Sequence, residues 1–177
     1  MKTTLSILCV LMATTLFLDG LYAQDRSFGA TFSYAGNGID YVRYTDSRHF
    51  AQYQMRIETV GLFWSGNGKA GISASAIWNT VFASIESRNG NNILFFAGPG
   101  ITAGYSEDIK YTSGLIFGLK GRVGAECRFP RGITISLSIS PMLGGHFIRK
   151  DGMINMHLYK YGLCYGLMPE AGIRYNF

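Results

Sequence analysis

Arg56 and Glu58, then Lys120, Arg122, Glu126 and Arg128, then Glu170 and Arg174 stand at even spacing inside otherwise apolar stretches. A period of two puts each run on one face of a strand, with the apolar residues on the other. Charges gathered on an enclosed face have three chemical outlets. They can pair and seal the interior, they can line a narrow charged pore, or they can hold one small ligand. Buried charges are costly unless paired, which favours the sealed network. Gly98, Gly100, Gly104, Gly162 and Gly166 fall on the same side. Their missing side chains leave room there, so the pore and ligand readings stay open.

A second set of residues could support acyl-transfer chemistry. His146 lies six positions after Ser140, and His157 lies near Asp151; His49 opens another strand. Nucleophilic catalysis needs a base within hydrogen-bond reach of the hydroxyl. None of these spacings reproduces a deacylase or acyltransferase motif. A non-enzymatic chain is expected, with a lipid-modifying hydrolase or transferase as the rival. Three scattered histidines predict no metal site, and nothing predicts a cofactor.

Eight strands are needed to position these residues. The alternation predicts them at Ser27 to Tyr34, Ile39 to Tyr44, His49 to Phe63, Ala70 to Ile85, Asn92 to Ser106, Gly114 to Phe129, Ile133 to Ile148 and Tyr161 to Phe177. The sixth is among the clearest. Leu115, Phe117, Leu119, Val123, Ala125, Cys127 and Phe129 oppose Lys120, Arg122, Gly124, Glu126 and Arg128. The second is ambiguous, because Ile39 and Tyr41 compete with Val42 and Tyr44. Gln52 and Gln54 join Arg56 and Glu58 on the third. On the seventh, His146 is inward near the end of the strand. Pro99 cannot donate a ladder hydrogen bond and predicts a bulge in the fifth strand. Turns are expected at Ala35–Gly38, Thr45–Arg48, Ser65–Gly68, Ser87–Asn91 and Pro130–Gly132, with longer loops at Glu107–Ser113 and Arg149–Tyr159.

Composition narrows the class without choosing within it. With 23 glycines, 4 prolines, 15% charged and 14% aromatic residues, a membrane barrel and a soluble β-sandwich both fit. Residues 1–23 read as a secretory signal peptide. Lys2 precedes an apolar run from Leu5 to Leu18, Asp19-Gly20 breaks it, and Ala23 offers a small residue for cleavage. The run is shorter than the ~20 residues of a spanning helix. Residues 24–177 form one domain. The net charge of +5 is spread along the strands without a dense cluster, so no nucleic-acid partner is expected. Strand parity places Cys127 outward and Cys164 inward on separated strands, too far apart to bridge, so two free thiols are expected.

The final stretch, Tyr161 to Phe177, alternates apolar odd positions with small, polar or charged even ones and carries aromatic residues at both ends. That pattern suits a strand with lipid on one side and a polar barrel interior on the other. Glu170, Gly172, Tyr175 and Phe177 resemble the C-terminal assembly signal of bacterial outer-membrane proteins: a polar residue, a glycine, then two aromatics ending the chain. By pattern and size the chain resembles the small eight-stranded outer-membrane barrels of the OmpA/OmpX type. The resemblance implies an all-β, eight-stranded antiparallel up-and-down transmembrane β-barrel, monomeric, with both termini periplasmic. It implies recognition by the barrel-assembly machinery and contact with outer-membrane lipid and lipopolysaccharide. Trp64, Trp78 and the tyrosines are read as anchors at the lipid interface. Lys110, Arg149, Lys150 and Lys160 would gather at the extracellular rim, either to pair with lipopolysaccharide phosphates or as solvated loop residues.

Overall fold

The computed structural model describes residues 25–59, 69–87, 90–108, 113–150 and 152–177; the expected signal peptide, the Ser65–Gly68 turn and Trp64 lie outside them. The strands are β1 (Arg26–Ser33), β2 (Gly36–Tyr44), β3 (His49–Glu58), β4 (Gly71–Glu86), β5 (Asn92–Glu107), β6 (Ser113–Arg128), β7 (Ile133–Ile139), β8 (Met142–Lys150), β9 (Met153–Leu158) and β10 (Glu170–Asn176), with one helix, α1 (Lys160–Gly166), among the described residues. They make a closed antiparallel barrel of eight staves. Neighbours in sequence pair from β1 to β6, and β10 closes the ring against β1, with Phe28 opposite Tyr175.

The seventh stave is broken. β7 and β8 both pair with β6, at Val123–Ile139 and Leu119–Leu143, so they are two halves of one strand interrupted at Ser140-Pro141. Pro141 has no N–H to give the ladder. Its carbonyl instead accepts the Gly121 N–H at 2.9 Å. The bulge expected at Pro99 is elsewhere: β5 holds its register with β6 through Pro99–Gly121, and the shift falls on β4 between Val81 and Ala83. Phe82 is the extra residue there. The missing donor interrupts the β4 side of the ladder, where Trp78 and Asn79 stay unpaired opposite Pro99 and Gly98 while the register is kept from Ile77–Gly100 to Thr80–Ala97.

Three further expectations are corrected. Gly36–Gly38 belongs to β2, leaving Tyr34-Ala35 as the turn. Arg149–Tyr159 is not a loop, because β8 and β9 form a hairpin around Gly152, whose φ of 79° is the left-handed conformation that glycine adopts freely. The last seventeen residues are not one strand. Lys160–Gly166 is helical and only Glu170–Asn176 is extended.

The helix has local causes. Tyr161 and Tyr165, four apart, share a face; their rings lie 5.3 Å from each other and Tyr165 stacks on Tyr34 at 6.1 Å. Gly162 and Gly166, also four apart, let the helix lie against the broken stave. A Cβ on Gly166 would stand 2.5 Å from Pro141 Cα, and one on Gly162 3.0 Å from the Met142 carbonyl. Tyr159 offers no side-chain cap, and Asp108 from the β5–β6 connection supplies one from afar. Its carboxylate accepts the Tyr161 N–H at 3.3 Å and the Lys160 N–H at 3.5 Å. Two bonds sew the helix region to the stave, Ser140 N–H to the Gly166 carbonyl at 2.7 Å and Tyr159 N–H to the Gly144 carbonyl at 2.9 Å. Pro169 then prevents continuation.

Alternation between inside and outside is clean on β7 and β10, whereas β9 and the end of β4 are exposed throughout. Along β10, Glu170, Gly172, Arg174 and Asn176 are buried, while Ala171, Ile173, Tyr175 and Phe177 are exposed. Cys127 and Cys164 are free thiols, as expected, but Cys164 sits exposed on α1 and not inward. The helical turn changes its direction.

Candidate functional site

The interior of the barrel has three layers. At the end that holds the chain terminus, Val42, Phe50 and Phe96 form an apolar floor with Tyr44 and Val81. Phe50 and Phe96 meet edge to face at 5.2 Å, the arrangement aromatic quadrupoles prefer. At the other end, Ala35, Ile116, Met142, Tyr159 and Tyr161 form an apolar roof under α1. Between them lies the charged layer.

That layer brings together the residues singled out by spacing. Glu170 on β10 takes ion pairs from Arg56 on β3 and from Arg122 on β6, the latter at 3.3 Å. Glu126 pairs with Arg128 at 2.7 Å and with Arg174. Arg174 also reaches Asp40 Oδ2 at 3.1 Å. Arg122 donates to Ser138 Oγ at 2.9 Å and lies 5.6 Å from the Phe96 ring centre; Arg128 lies 4.0 Å over the Tyr44 ring. These cation–π contacts join the charges to the floor. Glu58 and Lys120 face inward as expected but form no ion pair among the described residues. Glu58 accepts the Ser73 hydroxyl at 2.5 Å, and Lys120 Nζ donates to Gln54 Oε1 at 2.9 Å and Ser75 Oγ at 3.3 Å.

Two members escaped the sequence reading. Asp40 is buried on β2 and takes both Arg174 and Gln52 Nε2, the second at 2.8 Å. The ambiguity of this strand hid it: Asp40 and Arg43 sit on opposite faces, and only Arg43, near the strand's end, points out. Gln54 was placed inward but not recognised as a hub. Its Nε2 donates to Thr31 Oγ1 and Glu170 Oε1, both at 3.1 Å, while its Oε1 accepts from Lys120 and Arg56. A glutamine joining an acid to two bases uses both ends of its amide.

The histidines are not assembled with a nucleophile. His146 is 1% exposed, and its Nε2–H donates to the Ser106 carbonyl at 3.1 Å. Ser140 Oγ is buried with no partner among the described residues. His157 is exposed on β9, opposite His146 in the ladder, and Asp151 lies outside the described residues. His49 pairs with Asp46 at 3.0 Å in the β2–β3 turn. Of the four basic rim residues, Arg149 and Lys160 are exposed near the α1 end, Lys150 ends β8, and Lys110 lies outside the described residues.

The outer wall is the reverse of the interior. Phe28, Ile39, Tyr53, Met55, Leu115, Phe117, Leu119, Leu137, Leu143, Ile173 and Tyr175 are all exposed, and so is Trp78. A shallow apolar groove of about 560 Å³ crosses this wall over Ala74, Ala76 and Ala103. Within the charged layer, by contrast, the cavity under α1 measures about 30 Å³.

Comparison of the chain with protein-family models, with curated proteins and with solved structures gives no match.

Proposed function

We propose that this chain is a non-enzymatic β-barrel of the bacterial outer membrane, with a structural or surface-interaction role and a closed polar lumen. The observation that carries the reading is the inversion of ordinary burial. Arg56, Lys120, Arg122, Glu126, Glu170 and Arg174 are buried, while large apolar side chains cover the outside. Soluble monomers rarely expose contiguous apolar patches beyond a few hundred Å², and a bilayer is the solvent that suits such a wall. An eight-stranded barrel is just wide enough for side chains to fill. Floor, ion-pair layer and roof fill this one, which favours a sealed interior over a solute path. The burial of His146 on a carbonyl favours a non-catalytic role.

On this reading residues 1–23 direct export and Glu170, Gly172, Tyr175 and Phe177 are read by the barrel-assembly machinery. The chain is a monomer in lipid with both termini periplasmic. Arg149 and Lys160 then stand at the outer rim, where phosphates of lipopolysaccharide make strong charge-assisted bonds with basic side chains.

The test is expression of the full chain in a Gram-negative host, followed by separation of inner and outer membranes and planar-bilayer recording of the purified protein. Recovery in the outer membrane with a silent bilayer is expected. Recovery in the soluble fraction without detergent would overturn the location, and steady single-channel steps would overturn the closed lumen.

A further inference from the structure

The outer face of the barrel carries two like charges side by side. Arg43 of β2 stands directly opposite Arg26 of β1 in the ladder. Both share the outward parity of Phe28 and Tyr41, the next outward pair along these strands. Like charges directly opposite each other destabilise a strand pair. The neighbouring acids are turned elsewhere. Asp25 falls on the inward parity, opposite Tyr44, whose N–H its carbonyl accepts at 2.7 Å. Asp46 is taken by the His49 ring and by the N–H groups of its own turn. Arg43 and Arg48 are exposed and make no ion pair among the described residues.

Phe28 and Tyr41 also border the apolar groove of the outer wall. Ala74 and Ala76 of β4 and Ala103 of β5 are its floor. Tyr53 and Met55 form one bank, Ile101 and Phe117 the other. Ile72 and Trp78, the next outward residues of β4, stand at its two ends, about 20 Å apart at the rise of a strand. Trp78 lies opposite Ala51, and Ala51 opposite Arg43. The cation is therefore two strand spacings, about 10 Å, from the foot of the groove. In a bilayer an apolar groove alone selects nothing, because lipid tails are as apolar as leucine. A fixed cation beside the groove does select, since guanidinium and phosphate make strong charge-assisted bonds.

We infer that this face is a binding site for one phospholipid of net negative headgroup. Its phosphate pairs with Arg43, and Arg26 and Arg48 add to the local field. One acyl chain lies over Ala74, Ala76 and Ala103. The inference rests on the membrane reading above. Arg43 stands at the end that holds the chain terminus, the periplasmic side on that reading, so the occupant is a phospholipid of the inner leaflet and not lipopolysaccharide.

The probe is phosphatidylglycerol in competition with phosphatidylethanolamine. The wild-type chain is folded into vesicles holding equal amounts of both, extracted in mild detergent and weighed by native mass spectrometry. It should retain one phosphatidylglycerol in preference to phosphatidylethanolamine. Arg43→Gln should lose that preference, and Ala76→Phe should lose the retained lipid. Arg131→Gln, an exposed arginine of the β6–β7 turn at the same end, should change neither. Equal retention of the two lipids by the wild type overturns the inference. So does a preference that Arg43→Gln and Ala76→Phe leave intact, and so does displacement of the phosphatidylglycerol by added lipopolysaccharide. A chain that does not enter the vesicles overturns the membrane reading along with this one, whereas a chain that enters and shows no preference overturns this inference alone. The wild-type competition needs no variant, so it decides the matter even where a variant fails to fold.

Discussion

Arg174 Nη1 stands 3.1 Å from Asp40 Oδ2, joining the last strand to the second across 134 positions of sequence. The same guanidinium meets Glu126 on β6, so one side chain holds three staves. Arg174→Met would leave the buried Asp40 without a cation and Glu126 with Arg128 alone. Breaking a buried pair from one side typically costs about 3–5 kcal/mol. Urea unfolding of the refolded barrel should show that loss. Adding Asp40→Asn to the same chain should restore part of it, because the uncompensated charge then disappears.

The broken stave depends on two glycines and an acid. Gly166→Val places a side chain where even a Cβ would stand 2.5 Å from Pro141 Cα, and backbone cannot yield as a flexible side chain would. Overpacking of this kind costs about 1–3 kcal/mol. Asp108→Ala removes the acceptor for the first N–H groups of α1, a loss of about 0.5–2 kcal/mol by analogy with helix caps. Limited proteolysis should then cut within 160–168 in both variants before any strand is cleaved. Cleavage first in a β-hairpin would mean that α1 is not the weakest part of the wall.

Leu119 is 67% exposed near the middle of β6 and serves to test the solvent around the barrel. In a bilayer, Leu119→Arg should cost about 2–4 kcal/mol, as arginine at the midplane of a barrel's lipid face does. In water the same change would be close to neutral. Equilibrium unfolding from lipid vesicles, compared with Lys120→Arg on the inner face as a charge-conserving control, reads the difference. An undiminished stability for Leu119→Arg would argue for a water-exposed wall.

The β2–β3 turn should respond to acid. Asp46 accepts the backbone N–H groups of Arg48 at 2.7 Å and His49 at 2.8 Å and pairs with the His49 ring. The Arg48 N–H, first, and the His49 side chain hold its carboxyl below the ordinary carboxylate range. A lowered acid contributes stability that is complete above its unfolded value and is lost as pH falls through the folded one. Chemical shifts of the Arg48 and His49 amides should therefore move together on acidification, with a midpoint below that of a free aspartate. Asp46→Asn should abolish the titration while keeping an acceptor in the turn.

Much of this architecture follows from alternation alone. On β3, β6 and β10 a single parity sorts charged from apolar residues, and every charge assigned inward by spacing is inward. Period two suffices there because a strand offers its side chains only two directions. It failed at Tyr161–Gly166 for an equally simple reason. A pattern repeating every two residues also repeats every four, so Tyr161/Tyr165 and Gly162/Gly166 satisfy a strand and a helix alike. The break at Ser140-Pro141 and the roof above Lys120 decided in favour of the helix, and neither is local to it.

On β3, β6 and β10 the sequence by itself determined which charged side chains face in, and hence a polar interior inside an apolar wall. Only the tertiary structure decided the partners. Arg174 had Asp40, Glu58, Glu126 and Glu170 within its class of acceptors, and stave order and register selected two of them. Lys120 drew neutral neighbours for the same reason. Parity depends on neighbours along the chain, whereas pairing depends on how far each stave has slid past the next.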